Sequence, residues 1–172
     1  MIAKAGRFVD KIVVDRPKDG SDDYPFSIPA IRDLKSLSFK SHVTFFVGEN
    51  ASGKSTLLEA IAMAAGFNPE GGSRNFNFAL RPSESRLHES LVIHSGARPK
   101  TGFFLRAESF FNVATQVDDL AELRVAYGNK SLHEQSHGES FLAVITNRFG
   151  PNGLYILDGR SRPCLSGVSW RC

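Results

Sequence analysis

Apolar residues recur along this chain in short runs separated by turn-forming segments, and three stretches change to a helical period. The runs rich in β-favouring residues predict strands, which we place at residues 8–14, 26–28, 43–47, 91–94, 102–106 and 154–157. Apolar positions three and four apart predict helices at residues 57–65, 117–125 and 136–149. Strands that alternate with helices in this way predict an α/β fold.

Two of the predicted strands lie close together along the chain. Residues 91–94 and 102–106 flank the segment SGARPKT, which is rich in turn-forming residues. We therefore expect these two strands to pair as an antiparallel hairpin.

The predicted strand at residues 43–47 runs directly into a glycine-rich segment and then into a helix. Gly48, Gly53, Lys54 and Ser55 have the spacing G-x-x-x-x-G-K-[ST] of a phosphate-binding loop. A chain of this length would match that pattern by accident about once in a hundred cases, and the flanking strand and helix reduce that chance further. We expect residues 43–47 to form a buried parallel strand that leads into the loop.

The chemistry of phosphate binding accounts for this spacing. Glycine at position 48 permits a sharp turn, and glycine at position 53 lets the backbone approach a phosphate closely. The N–H groups at the start of the following helix form a nest that binds anions. Lys54 would bridge β- and γ-phosphate oxygens, and the Ser55 hydroxyl would be a Mg²⁺ ligand. The predicted nucleotide-binding residues are Gly48, Glu49, Asn50, Ala51, Ser52, Gly53, Lys54, Ser55 and Thr56.

Two carboxylates follow predicted strands and are candidates for the metal site. Asp158 comes directly after the apolar run at residues 154–157, which is the arrangement of a second nucleotide-binding strand whose carboxylate holds Mg²⁺ through water. Glu108 follows the strand at residues 102–106 and could meet Mg²⁺ or the attacking water. Taken alone, Glu108 is more simply interpreted as an ordinary charged residue at the end of a strand.

The last predicted helix begins with a strong capping signal. Ser136 is placed to cap the helix, and Glu139 follows three residues later as the partner in a capping box. Taken alone, this motif predicts a well-capped helix and no chemistry.

Composition excludes several classes of protein. The chain has 172 residues, of which 41% are hydrophobic, so it can bury a substantial core. Its net charge of +3 comes from interspersed charges, which permits nucleic-acid binding but does not indicate it. Because it has no run of about 20 apolar residues and no secretory signal, we expect no membrane span and a cytoplasmic location. Both cysteines, Cys164 and Cys172, lie in the final stretch, so they cannot form a framework for the domain.

Taken in order, these motifs resemble the ATP-binding-cassette class of ATPases. The resemblance is to the small AAA-type ATPases related to the heads of chromosome-maintenance and recombination ATPases, and it extends over residues 8–158. The segment GENASGKSTLLEAIA is similar to the first motif of that class, with Ala51 where glycine is more usual. The segment QSHGE, residues 135–139, looks like the signature motif, with Ser136 and Gly138 matching.

The resemblance implies a fold and a mechanism. The fold would be a P-loop α/β core sheet with an antiparallel β flank and a small helical subdomain. Ser136 and Gly138 would act on the γ-phosphate of ATP bound to a partner subunit, so that two ATP molecules lie at the interface of a homodimer. Glu108 falls where the class has a glutamine that contacts Mg²⁺ or water. Lys54, Glu108, Ser136 and Gly138 are then the candidate catalytic residues, with ATP and Mg²⁺ as ligands.

The chain departs from this class directly after Asp158. The class continues with a glutamate that acts as the general base, whereas this chain has Gly159. We therefore expect an ATP-binding domain over residues 1–158 that is incomplete at its C-terminal end. The composition changes over residues 159–172, which we expect to be a disordered tail that arose from a change of reading frame; the alternative is a genuine short variant.

Two other functions remain open at this point. The chain could be a nucleotide-binding module without catalysis, whose ATP-dependent dimerisation acts as a switch. It could also belong to another P-loop class, such as a GTPase or a small-molecule kinase. The absence of an N-K-x-D guanine-reading motif from the sequence favours ATP over GTP.

Overall fold

The chain forms five β-strands and four α-helices in the part that the structure describes. A computed structural model describes residues 7–16, 23–74, 85–119, 125, 127–128 and 130–159. The elements in chain order are β1 (Lys11–Val14), α1 (Pro29–Arg32), β2 (Ser36–Ser38), α2 (Lys54–Ala64), a 3₁₀ helix (Arg86–Ser90), β3 (Leu91–His94), β4 (Thr101–Arg106), α3 (Phe110–Asp119), α4 (His137–Arg148) and β5 (Gly153–Asp158).

Three strands form an antiparallel sheet in the order β2, β1, β3. Ile12 pairs with Leu37 on one side and with Ile93 on the other. The side chain of Ile12 is fully buried, so the middle strand of this sheet contributes directly to the core.

The other two strands, β4 and β5, pair in parallel. Their register aligns Phe104 with Ile156 and Arg106 with Asp158 at the carboxyl ends of the strands. Because β4 and β5 end together, the residues that follow them are brought to one edge of the sheet.

Strand β4 separates two hydrophobic clusters, because alternate side chains of a strand point to opposite faces. Phe104 packs in the first cluster with residues of β1, α1, α2 and β3, including Ile31 and Ile61. Phe103 and Leu105 pack in the second cluster with residues of α3 and α4. Burial on both faces is the environment that parallel strands prefer.

Several predictions from the pattern are wrong, and they concern either the pairing of a strand or the assignment of a segment to a strand. Residues 91–94 and 102–106 do form strands, but they do not form a hairpin: β3 pairs with β1, and β4 pairs with β5. Residues 26–28 form a turn that leads into α1.

The largest difference concerns residues 43–47, which we predicted as a buried parallel strand. They are not assigned to a strand, and Val43, Phe45 and Val47 are exposed. Phe46 is the exception, since it packs on the first cluster and meets Phe39 edge to face with ring centroids 6.4 Å apart. The segment is held to the core by one face only.

The predicted helices are closer to the structure. Helix α2 covers the predicted residues 57–65 apart from Ala65, which caps its C-terminus, and Gly66 follows at a φ of +87°. Helix α4 matches the prediction at residues 136–149, with Ser136 and Phe149 as its caps. The helix predicted at residues 117–125 overlaps only the end of α3, and residues 120–124 lie outside the described part. The predicted tail beyond Gly159 also lies outside it.

Candidate functional site

The predicted phosphate loop leads into α2, whose first residue is Lys54. Gly53 is the N-cap, with a φ of 95°, and no side chain caps the helix. The first N–H groups of a helix have no partner within the helix, and they carry the positive end of its dipole. An uncapped helix start that follows a glycine-rich loop is therefore suited to receive an anion.

Glycine is required at position 53 for two reasons. Its positive φ is disfavoured for other residues, and a Cβ there would lie 2.7 Å from Cγ2 of Ile28. This glycine was predicted to allow close approach of a phosphate, whereas the atom that a side chain would meet in the structure belongs to Ile28. Ala51 also has a positive φ, of 62°, which explains why glycine suits that position better.

Lys54 binds the loop that it follows. Its Nζ donates hydrogen bonds to the carbonyl oxygens of Gly48 at 2.9 Å and Glu49 at 2.5 Å, and to Oγ of Ser52 at 3.3 Å. The ammonium group of Lys54 therefore has three oxygen atoms of the loop as partners. These oxygen atoms accept hydrogen bonds from the ammonium group, as phosphate oxygens would.

Ser55 and Asp158 are brought together across 103 residues of chain. The Ser55 hydroxyl donates a hydrogen bond to Oδ1 of Asp158 at 2.9 Å. Ser55 is in the first turn of α2, and Asp158 is the last residue of β5. The two side chains that the sequence proposed as metal-site residues are thus direct neighbours.

The carboxylate of Asp158 is buried, and this changes its acidity. Burial raises the pKa of Asp158 above its ordinary value, while the hydrogen bond from Ser55 and the positive charge of Arg106 oppose the rise. The neighbouring negative charge of Glu108 adds to it, and Lys54 lowers it slightly. A buried carboxylate that carries unfavourable charge would gain from a divalent cation.

A hydroxyl and a carboxylate at hydrogen-bonding distance fit Mg²⁺. This ion prefers hard oxygen ligands and commonly takes only one or two from the protein, with water and phosphate oxygens completing its shell. The described residues contain no group of three or more His, Cys, Asp or Glu side chains that could hold a metal alone. A metal at Ser55 and Asp158 would therefore need oxygens from a bound nucleotide and water.

Glu108 lies beside this pair but is mostly exposed. Its Oε2 lies 3.7 Å from an Nη atom of Arg106, and the side chain is 61% accessible to solvent. Glu108 also lines an open cavity of about 250 Å³ together with His133 and Gln135. This cavity connects the end of β4 with the segment that precedes Ser136.

Ser136 and Gly138 lie at the start of α4. Ser136 caps α4 in a capping box: its Oγ accepts from the Glu139 N–H at 3.4 Å, and its own N–H donates to Glu139 Oε2 at 2.9 Å. Within the described part of the chain, no hydrogen bond joins Ser136 or Gly138 to the loop. A Cβ on Gly138 would meet nothing within 4 Å, so its space is open.

An ion pair that was not predicted from the sequence joins Arg106 and Glu59 near the site. An Nη atom of Arg106 lies 2.7 Å from Oε2 of Glu59, and the two side chains are only 17% and 7% accessible. A signal was present, because Glu59 is a lone charge within the apolar run TLLEAIAMAA and Arg106 ends the apolar strand GFFLR. Buried charges need partners, so the sequence indicated that each of these residues would be paired, without identifying the partner.

Comparisons with known proteins find one family and one relative for part of the chain. The family model described as an AAA domain matches residues 26–135, a range that includes the phosphate loop and Glu108. Over 61 residues the chain is 39% identical to the DNA repair protein RAD50 of Drosophila melanogaster, an alignment that covers 35% of this chain and 5% of that relative. No solved structure matches the chain.

The described residues contain no candidate for a membrane-spanning helix. None of their helices has the length and apolar character that a bilayer crossing requires.

Proposed function

Because the chain belongs to the AAA domain family of P-loop ATPases, we propose that it binds Mg·ATP through residues 48–56, with Ser55 and Asp158 at the metal. We further propose that ATP is hydrolysed to ADP and phosphate across a homodimer interface. The observation that carries the proposal is the 2.9 Å contact between Ser55 and Asp158, which joins the two motifs that the chain keeps far apart in sequence.

Each loop residue has a role that follows from its chemistry. The N–H groups at the start of α2 would bind phosphate oxygens, and Lys54 would exchange its contacts with the Gly48 and Glu49 carbonyls for contacts with the β- and γ-phosphates. Bound Mg²⁺ supplies neutralisation of the charge that develops on the phosphoryl oxygens. Ser55 and Asp158 would hold it beside the γ-phosphate.

The contribution of the partner subunit would come from Ser136 and Gly138. The open space at Gly138 supports this role, because a phosphate of another subunit's ATP could approach the backbone there. The positive end of the α4 dipole would stabilise the negative charge of that γ-phosphate. An arrangement of this kind makes hydrolysis depend on dimerisation.

Hydrolysis by this chain should be slow. The attacking water needs a general base, and the position after Asp158 is Gly159, which has no side chain to supply one. Besides Asp158, Glu108 is the carboxylate that we assign to the water or the metal. Loss of a general base lowers the rate by about 10²- to 10⁴-fold.

Gly159 also favours a second candidate function, an ATP-dependent dimerisation switch without turnover. The two functions differ in one measurable property, because a switch dimerises with ATP but releases no phosphate. Light scattering with ATP, together with phosphate release from the same sample, would distinguish them.

Calorimetry tests nucleotide binding directly. We expect the protein to bind ATP in the presence of Mg²⁺, and Lys54→Met to weaken binding by about 10- to 100-fold because a charge-assisted contact with phosphate is lost. Lys100→Met removes an exposed lysine elsewhere and should leave the affinity unchanged. A folded protein that binds no ATP, or a Lys54→Met variant that binds as tightly as the wild type, would contradict the proposal.

A competition experiment tests the class of nucleotide. We expect GTP to displace ATP poorly, since the sequence has no guanine-reading motif. Preferential binding of GTP would favour the GTPase alternative.

A further inference from the structure

We propose that Arg106, anchored by Glu59, is a positioning residue that holds Asp158 at the correct distance from Ser55 for Mg²⁺ binding. The inference rests on the proposed function and deepens it. Arg106 touches neither the nucleotide nor the metal in this account; it acts through the two elements that carry the metal-site side chains.

The first observation is the connection that the ion pair makes. Glu59 belongs to α2, the helix whose first turn carries Ser55, and Arg106 is the last residue of β4. Their side chains meet at 2.7 Å in a largely buried position. The pair therefore joins the helix behind the phosphate loop to the end of the neighbouring strand.

The second observation is the register of the parallel strands. Arg106 is the direct partner of Asp158, and the backbone N–H of Ala107 donates to the Asp158 carbonyl at 2.9 Å. Any displacement of the end of β4 would therefore be passed to Asp158. Ser55 and Asp158 are linked by their own hydrogen bond on one side and by the Glu59–Arg106 pair on the other.

The third observation is that both partners of the pair are held in place by other groups. A second Nη atom of Arg106 donates to the carbonyl oxygen of Pro69 at 3.0 Å. Glu59 Oε1 accepts from the backbone N–H of Ser85 at 3.2 Å. The guanidinium and carboxylate groups are thus both held in position, which distinguishes this pair from a mobile surface ion pair.

The main variant replaces both charges at once, as Glu59→Met with Arg106→Met. Removing one partner would leave a buried charge unpaired, whereas replacing a buried pair by apolar residues of similar volume is often tolerated. ATP binding is measured by calorimetry in EDTA and again over a range of Mg²⁺ concentrations. We expect the half-saturating Mg²⁺ concentration to rise by about 10-fold or more, as for other residues that position metal ligands.

The same titration separates positioning from a general structural effect. ATP affinity in EDTA should stay within about twofold of the wild type, because the loop backbone and Lys54 are unchanged. Val144→Ala removes buried methyl groups from α4 in the second cluster and serves as a control for lower stability. Arg86→Met breaks the exposed pair with Glu89 and serves as a control for lost charge. Neither control should shift the Mg²⁺ dependence.

A single variant keeps the inference testable if the double variant does not fold. Arg106→Lys retains a cation opposite Glu59 but cannot keep the forked contacts with both Glu59 and Pro69. We expect its Mg²⁺ requirement to rise by a few-fold, again without a change of affinity in EDTA.

The outcomes separate this inference from the proposed function. A wild-type protein that binds no ATP would contradict the proposed function. A wild type that binds Mg·ATP, with folded variants whose Mg²⁺ requirement is unchanged or lower, would overturn the role of Arg106 alone. An equal shift in Val144→Ala would also overturn it, since the effect would then follow stability.

Discussion

Residues 43–47 and strand β4 have similar sequences but differ in their burial and strand pairing. VTFFV and GFFLR are both short, aromatic and β-favouring. Phe103, Phe104 and Leu105 are at most 1% exposed, whereas Phe45 and Val47 are 84% and 93% exposed. Strand β4 has β5 as a partner and a hydrophobic cluster on each face, and residues 43–47 have a cluster on one face only. An apolar pattern therefore shows which side chains of a segment are suited to burial. Whether they are buried depends on the strands and clusters that the segment contacts.

The contrast matters for function because both segments lead to the candidate site. The carboxyl end of β4 is fixed by pairing, and it positions Arg106 against Asp158. The phosphate loop follows the exposed segment, so it is held mainly through Phe46 on one side and α2 on the other. We expect the two sides of the site to differ in rigidity.

Phe104→Ala should have the largest effect on stability. The side chain is fully buried in the first cluster, so its removal should lower the free energy of unfolding by about 3–5 kcal/mol. Urea unfolding followed by circular dichroism measures the change. A loss below about 1 kcal/mol would mean that the paired strand is not the better-packed region.

Asp158→Asn should raise stability at neutral pH, by less than Phe104→Ala lowers it. Burial raises the pKa of Asp158 in the folded state, so the folded protein holds this proton more tightly than the unfolded chain. The wild type therefore loses stability as the pH rises from the unfolded pKa through the raised folded pKa, and asparagine removes that loss.

Unfolding of both proteins at a series of pH values measures this effect. The two curves should converge at low pH, where the aspartate is protonated in both states, and should separate above it. A wild type that is more stable than Asp158→Asn at pH 7 would show that the burial of this carboxylate is already compensated.

Ala51→Gly should stabilise the protein by about 0.5 kcal/mol. Alanine at positive φ destabilises the folded state by about 1–2 kcal/mol relative to glycine. Glycine is more flexible in the unfolded chain, and this offsets part of the gain from the substitution. Thermal unfolding of the two proteins gives the difference. A destabilised glycine variant would mean that the loop relies on the alanine side chain for packing.

Phe45→Ala should have the smallest effect, within about 0.5 kcal/mol, because an exposed side chain loses little packing. It is the matched control for Phe104→Ala, since both changes delete the same ring. Equal losses from the two variants would show that residues 43–47 are buried in solution, and the contrast between the segments would fail.

Local signals in the sequence predicted the helices near the site well. Two of these signals are the capping box of Ser136 and Glu139 and the apolar period of α2. Both depend on residues a few positions apart, so they can be recognised without knowing the tertiary contacts. The end of β5 at Asp158 was predicted for the same reason, from an apolar run that ends in a charge.

Pairing and burial were not predictable from the same signals. The turn formers between β3 and β4 indicated a hairpin, but the partner of β3 is β1, far earlier in the chain. The Glu59–Arg106 pair depends on the packing of α2 against the strands, which no local window contains. Spacing therefore predicted the loop residues, and the fold shows that Ser55 contacts Asp158.

The most direct test of the account is the Mg²⁺ dependence of ATP binding by the wild type and by Asp158→Asn. We predict that Mg²⁺ tightens ATP binding by the wild type and has little effect on the variant, while both bind ATP similarly in EDTA. Equal tightening by Mg²⁺ in the two proteins would contradict the assignment of Asp158 to the metal site, and with it the meaning given to its contact with Ser55.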